Sequence, residues 1–290
     1  MSKLWWLRLC APIVGRLPAV FYPVASAIGR AGWHIRPRAR GAILRNLLPL
    51  CDGDKTRARR EGVRAYQNAT RYWVDLATLP YRDMTRFDRD HLDIRDAERL
   101  AILQTMTPII VVSAHTGNPE LAVQALTNRG RHYVALVEPL RPPAFARELL
   151  RLRSSGGGAF YEAGFAGLRA AVGALREGGT LGILGDRDIQ QSGVCVTLSG
   201  RCVRLPAGPW ELARRTGATV LPIFSARVHA DRFTLYVEEP LKVARTADAE
   251  GDIGEAVERW SRLLETNLRR DPGQWAVLED FWKVHACGPS

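Results

Sequence analysis

The sequence predicts an α/β domain with a largely parallel central sheet flanked by helices, behind a helical N-terminal segment. Three observations carry that expectation. From about residue 95, short apolar runs alternate with amphipathic stretches of helical periodicity, the pattern of parallel strands joined by helical crossovers. Residues 36 to 80 keep helical spacing in two pieces, and the first 36 residues are apolar but broken by prolines. At 290 residues and 32.2 kDa the chain is long enough to bury a sizeable core.

In chain order, the first element is "KLWWLRLCAPIVGRLPAVFYPVASAIGRAGW", punctuated by Arg8, Arg16, Pro12, Pro18 and Pro23. Its longest charge-free run, Leu17 to Gly29, is 13 residues. A membrane-crossing helix needs roughly 20 apolar residues, so this run suits an interfacial, re-entrant or buried segment. Trp5 and Trp6 beside Lys3 and Arg8 are residue types favoured at lipid headgroups. We therefore expect residues 1–36 to form a membrane-associating segment and residues 37–290 the main domain. The competing reading is a helical hairpin packed on its own domain. No small-residue cleavage site closes a clean apolar core, which argues against a cleaved signal peptide.

Two helices follow, separated near "CDGD": Ile43, Leu44, Leu47 and Leu48 keep helical spacing up to Pro49, and Val63, Tyr66, Tyr72, Trp73 and Leu76 resume it. Strands are expected at Ile109 to Ala114, Tyr133 to Val137, Leu181 to Leu184, Thr219 to Phe224 and Phe233 to Val237. Helices are expected at Glu120 to Asn128, Phe145 to Arg153, Phe165 to Arg176 and Pro209 to Thr216. A closing helix, Ile253 to Arg270, carries Ile253, Val257, Trp260, Leu264 and Leu268 on one face.

The stretch "PIIVVSAHTGNPELAVQAL" delivers His115 from a buried strand into a Gly-Asn-Pro turn, with Asn118 a good helix cap and Pro119 a good first helical residue. Glu120 then falls in the first helical turn. A carboxylate that accepts one imidazole N–H raises the basicity of the other nitrogen, which can take a proton from a substrate hydroxyl. A histidine at a strand end is more often a satisfied structural residue, and spacing alone does not separate the two. No G-x-S-x-G elbow is present, and Ser113 lacks a supporting turn.

Forty-one Lys and Arg against 30 Asp and Glu give a net charge of +11, suited to an anionic partner: nucleic acid, a membrane surface or a phosphorylated substrate. Only four of those cations are lysines, Lys3, Lys55, Lys242 and Lys283; the planar arginine fork suits phosphate, and a compositional bias explains the excess equally well. Cys10, Cys51, Cys195, Cys202 and Cys287 show no C-x-x-C spacing and are odd in number. They read as reduced thiols, with Cys195 and Cys202 able to face each other across a hairpin. No zinc site or other metal site is expected.

With those residues in view, the chain resembles the glycerolipid and lipid A acyltransferases. "HTGNPE" has their H-x4-[D/E] form. The resemblance is closest to the branch that acylates glycolipids: the lipid A late acyltransferases and the mycobacterial phosphatidylinositol mannoside acyltransferases. "RARGAILRNLLPL" looks like their Arg- and Asn-bearing helix, with Asn46 at the matching place, and "LGILGDRD" like their strand ending in an acidic turn. "GRCVRLPAGPWELARRTGATVLPIF" and "RRDPGQWAVLEDFWK" look like two further blocks, in family order across about residues 38 to 283.

The resemblance implies a glycerolipid acyltransferase-like fold and transfer of an acyl chain from a thioester, on coenzyme A or acyl carrier protein, to a hydroxyl of a membrane glycolipid. It also implies a place at the cytoplasmic face of the cell membrane. No cofactor beyond that co-substrate is implied. Carried over, His115 is the general base and Glu120 its orienting carboxylate. Gly208 lies where backbone N–H groups at a helix start would receive an oxyanion. Asp186, Arg187 and Asp188 would line the acceptor side, with Glu138 near the dyad or sugar; apart from the resemblance, Arg201 and Arg204 are residue types that could pair with a phosphate of the acceptor or of coenzyme A.

The alternatives are specific. Thr116 and Pro119 stand where lipid A enzymes commonly carry an aromatic residue and Trp, whereas "DRD" and "VEPLRPPAFARELLRLRSSGG" look more like the mannoside branch. Asp186 and Asp188 could bind a metal, but two carboxylates without further ligands are a weak signal, and turn capping or an ion pair with Arg187 suits them better. Arg201 and Arg204 equally suit a solvated hairpin. A thioesterase using the same dyad on water, and a non-catalytic basic membrane- or nucleic-acid-binding protein, are the competing functions. Scattered basic residues argue against nucleic acid as partner.

Overall fold

The computed structural model describes residues 6–105, 107–127 and 131–288. Lys3 and Trp5, and the side chain of Trp6, therefore lie outside the described residues. After one turn of π-helix, Trp6–Cys10, the chain forms α1 (Ala11–Arg16) and α2 (Pro18–Ile35), and the helical run Leu7–Arg16 meets Pro18–Ile35 at a bend of 119°. Pro18 stands at the first position of α2, where its missing N–H costs nothing. α2 buries Tyr22, Ala25, Gly29, Gly32 and Trp33. Gly29 sets the approach to the next long helix but one: a Cβ there would stand 2.7 Å from the Cα of Gln67.

Helices α3 (Pro37–Leu50) and α4 (Lys55–Thr78) flank the predicted break. Asp54 starts α4 by accepting the backbone N–H groups of Thr56 and Arg57 at 2.8 and 3.0 Å. The hairpin reading of the N-terminus thus holds on one side, with α2 packed against α4. On the other side Ile13, Leu17, Val20, Val24, Ile28 and Ile35 remain 44–74% exposed, an apolar stripe facing out. Among the described residues no single helix is long and apolar enough to cross a membrane; Leu7–Arg16 with Pro18–Ile35 reach the required length and composition only as a bent pair.

After α5 (Met84–His91) the α/β region runs β1 (Leu92–Arg95), β2 (Ile109–Ser113), α6 (Pro119–Thr127), β3 (Tyr133–Val137) and α7 (Pro143–Ser154). It continues through β4 (Ala159–Glu162), α8 (Phe165–Arg176), β5 (Thr180–Leu184), β6 (Val194–Leu198), β7 (Arg201–Leu205) and α9 (Gly208–Thr216). β8 (Thr219–His229), β9 (Arg232–Val237), α10 (Ala249–Arg270) and α11 (Phe281–Val284) complete it. The main sheet has the order β1-β9-β8-β2-β5-β3-β4. Every pairing in it is parallel except the β8–β9 hairpin. β6 and β7 form a separate antiparallel hairpin.

β2 sits at the centre, with Val111 opposite Gly182 of β5 on one side and Leu221 of β8 on the other. All five of its residues are buried, as a strand covered on both faces requires. Ile110 and Val112 join the core formed with Trp260 and Leu264 of α10, while Ile109 and Val111 join the one formed with Ala122 and Val123 of α6. The predicted strands and helices all occur, with ends shifted by a few residues, the expected helix end at Asn128 lying outside the described residues; β8 is longer because its second half pairs with β9. The unpredicted β1 and β4 are four-residue edge strands whose half-exposed side chains dilute the apolar signal.

The cysteine expectation is revised. Cys195 is bonded to Cys287 across 92 residues, and Cys10, Cys51 and Cys202 are free. The pairing depends on the C-terminal segment lying along β7: the N–H of Arg204 donates to the carbonyl of His285 at 2.7 Å, and that of Cys287 to the carbonyl of Cys202 at 3.4 Å. Spacing in the sequence carries no trace of that contact.

Candidate active site

The carboxyl ends of β2, β3 and β5 open on a cavity of about 660 Å³, the usual position for a ligand in a sheet of this kind. His115 leaves the end of β2. Gly117 makes the turn possible: its φ is +59°, and a Cβ there would lie 2.5 Å from the carbonyl oxygen of Ser225. Asn118 caps α6 as predicted, its Oδ1 accepting the N–H of Leu121 at 3.1 Å. From the other side the C-terminal segment pairs with the turn, Ala276 N–H donating to the His115 carbonyl at 2.9 Å and Gly117 N–H to that of Gln274 at 3.2 Å.

The carboxylate on the imidazole is Asp186, a correction to the expected partner. His115 Nδ1 lies 2.8 Å from Asp186 Oδ1, while Asp186 Oδ2 accepts the His115 backbone N–H at 3.1 Å and the Trp275 indole N–H at 2.9 Å. Register explains the pairing: Ser113 stands opposite Leu184, so His115 and Asp186 each lie two residues beyond paired positions on neighbouring parallel strands. Asp186 is completely buried. Burial acts to raise its pKa, but the charge and hydrogen bond of His115, then the Trp275 and backbone N–H groups, outweigh it and hold the carboxyl below the ordinary range. With Nδ1 occupied, Nε2 is the ring nitrogen without a partner among the described residues, on a residue that lines the cavity.

Glu120 also lines the cavity but makes no hydrogen bond or ion pair with His115. Its carboxylate pairs with Arg153 at 2.8 Å and accepts the Tyr72 hydroxyl at 3.0 Å. The start of α6 at Pro119 reverses the chain after His115 and turns Glu120 toward α4 and α7. Burial opposes the Arg153 charge, and Glu120 and Tyr72 more than offset it, so its pKa is raised.

The other expected residues divide. Arg187, Asp188, Glu138 and Gly208 line the cavity. Arg187 bridges Glu279 at 2.7 Å and Glu138 at 3.4 Å, and Asp188 caps the following turn by accepting the Gly193 N–H at 2.8 Å. Gly208 opens α9 with free space beside its Cα. Asp186 lies beneath His115 instead of lining the acceptor side. Arg204 does not line the cavity: it sits on β7, with one guanidinium N–H on the Gln191 carbonyl at 3.4 Å. The basic residues on the wall are Arg153, Arg187 and Arg215. Between them the lining is largely apolar, including Val123, Ala135, Leu136, Phe160, Leu168 and Ile183.

Sequence reasoning missed the roles of Trp275, Glu279 and Arg153, although the first two sit in the block singled out as "RRDPGQWAVLEDFWK". Asn46, noted only for its place in a motif, is buried and fastens that block: its Nδ2 donates to the carbonyls of Val277 and Glu279 at 3.1 and 2.7 Å, and its Oδ1 accepts the Phe281 N–H at 2.9 Å. Behind the turn, buried Asp75 accepts the Asn118 amide at 2.8 Å and the Tyr22 hydroxyl at 2.7 Å and is paired with Arg227.

The chain as a whole is similar to known proteins. Residues 3–284 match the family described as bacterial lipid A biosynthesis acyltransferase. The phosphatidylinositol mannoside acyltransferase of Mycolicibacterium smegmatis is 25% identical over 218 residues, covering 73% of this chain and 69% of that protein. That of Mycobacterium tuberculosis is 26% identical over 229 residues, 73% and 67% of the two chains. A histidine held by a buried carboxylate at the mouth of a cavity thus lies in a chain matched almost end to end, which belongs to the bacterial lipid A biosynthesis acyltransferase family and is an O-acyltransferase.

Proposed function

We propose that the protein moves a fatty acyl chain from an acyl thioester, on coenzyme A or acyl carrier protein, to a hydroxyl of a membrane glycolipid. The observation that carries this reading is the imidazole of His115, fixed through Nδ1 by Asp186, with Nε2 left for the cavity. Nε2 takes the proton of the acceptor hydroxyl as its oxygen attacks the thioester carbonyl, and Asp186 stabilises the imidazolium so formed. Backbone N–H groups at the start of α9, beside Gly208, receive the developing oxyanion. Collapse breaks the carbon–sulfur bond, and the departing thiolate takes the proton back from His115.

Among glycolipids, a phosphoinositide mannoside is the favoured acceptor over a lipid A precursor. The mycobacterial relatives carry that name, and Glu138, Arg187 and Asp188 give the wall a charged, hydrogen-bonding face suited to sugar and phosphate. The apolar lining suits the acyl chain. The stripe of Ile13, Leu17, Val20, Val24 and Ile28 rests on the cytoplasmic face of the cell membrane, which makes residues 1–36 the membrane-associating segment and residues 37–290 the catalytic domain. About 25 cal/mol per Å2 of apolar surface removed from water supplies the attachment.

The test is mass spectrometry of a mixed lipid extract incubated with acyl-CoA or acyl carrier protein thioester and either the wild type or His115→Ala. A glycolipid that gains one acyl mass only with the wild type is expected. Free fatty acid as the sole product, with no acceleration by added glycolipid, would replace transfer by thioester hydrolysis.

A further inference from the structure

On the hairpin β6–β7, Cys195 stands opposite Arg204 and Cys202 opposite Thr197, so the two cysteines are diagonal neighbours on its exposed face, opposite the face carrying buried Val196, Leu198, Val203 and Leu205. The C-terminal segment runs along the far side of β7 and adds Cys287. The sulfurs of Cys195, Cys202 and Cys287 all lie within 4.8 Å of one another. A disulfide uses two of them and leaves the third beside it.

We propose that in the reduced chain these three thiolates bind one thiophilic, closed-shell cation, with zinc the natural occupant. The geometry suits it: a zinc–sulfur bond of about 2.3 Å in a tetrahedral site sets its sulfurs roughly 3.8 Å apart, within the observed span. Three thiolates with a fourth position open to solvent favour soft ions over calcium or magnesium, which require oxygen ligands. A phosphine with one water, leaving as the phosphine oxide, or a dithiol, leaving as its own disulfide, supplies the two electrons and two protons that open the Cys195–Cys287 bond, and metal loading then releases the three thiol protons to solvent. The ion and the disulfide are alternative closures of the same cluster. Either one ties the C-terminal segment, which carries Trp275 and Glu279 to the active site, onto the hairpin that follows the Asp186 turn.

Full-length protein, reduced with a phosphine until all five cysteines titrate as thiols, is titrated with cadmium and followed by native mass spectrometry and thiolate-to-cadmium charge-transfer absorption. One cadmium per chain is expected, and cadmium should displace zinc already bound at the same thiolates. Cys202→Ser, an exposed position, should lose about a third of the absorption and roughly tenfold or more in affinity, while Cys10→Ser changes neither. Zinc should raise the melting temperature of the reduced wild type more than that of reduced Cys202→Ser at the same concentration. The disulfide-bonded chain, with three free thiols, should take up no equivalent. Absence of one-to-one binding by the reduced chain, or binding unchanged in Cys202→Ser, would overturn the site.

Discussion

Two buried aspartates meet the same turn and are used in opposite ways. Asp75 and Asp186 are both wholly inaccessible, and they reach residues three apart, Asn118 and His115. Asp75 is neutralised by the full charge of Arg227 and further satisfied by Tyr22 and Asn118. Asp186 has two neutral N–H donors and an imidazole whose charge depends on its proton. The first carboxylate has no unmet demand and fixes geometry. The second gains most from a charge that exists only once the histidine has taken a proton, which is what a base in a reaction cycle requires.

The largest effect should come from breaking the catalytic side. His115→Ala should lose about 10²–10⁴-fold in acyl transfer while keeping its unfolding transition, and Asp186→Asn should fall in the same range because the amide stabilises the imidazolium poorly. An intact rate in either would remove the role assigned here. The structural side comes next: Asp75→Ala leaves Arg227 buried without its partner, at a cost of about 3–5 kcal/mol in urea unfolding, with activity falling no further than the loss of folded protein explains.

Glu120→Gln sharpens the contrast, since Glu120 is the acid nearest in sequence. Its loss should cost about 1–3 kcal/mol through Arg153 and Tyr72 and much less activity than Asp186→Asn. A Glu120→Gln enzyme slower than Asp186→Asn would reverse the assignment. The smallest effect is on the acid limb of stability. Asp186 titrates lower in the folded chain than the ordinary Asp value of about 3.9. Below that value the unfolded chain binds more protons, so the contribution is full above it and drains away as the pH falls through the folded pKa. As the pH falls below about 4, the urea midpoint of the wild type should drop more steeply than that of Asp186→Asn.

Most of the fold was legible because periodicity is local. Tyr133–Val137 and Phe165–Arg176 were found to the residue, and Asn118 as a cap follows from its side chain alone. Edge strands β1 and β4 were not, since four half-exposed residues carry too little pattern. At the site, the resemblance located His115, Arg187, Asp188, Glu138 and Gly208 at one cavity. What escaped was pairing: that Asp186 and not Glu120 meets the imidazole follows from β2 lying beside β5, a fact of topology with no sign in H-x4-E. The same blindness hid the Cys195–Cys287 contact.

The dependence of the site on the C-terminal segment has a consequence for how the enzyme is made. Trp275 binds Asp186, the backbone of Gln274 to Ala276 holds the His115 turn, and Asn46 clasps the residues that follow. The ribosome delivers His115 and Asp186 long before it delivers Trp275. A nascent chain, or one clipped by a protease after α10, therefore carries both members of the pair and lacks the clamp that aligns them. Alignment of the pair therefore waits for the segment that follows α10.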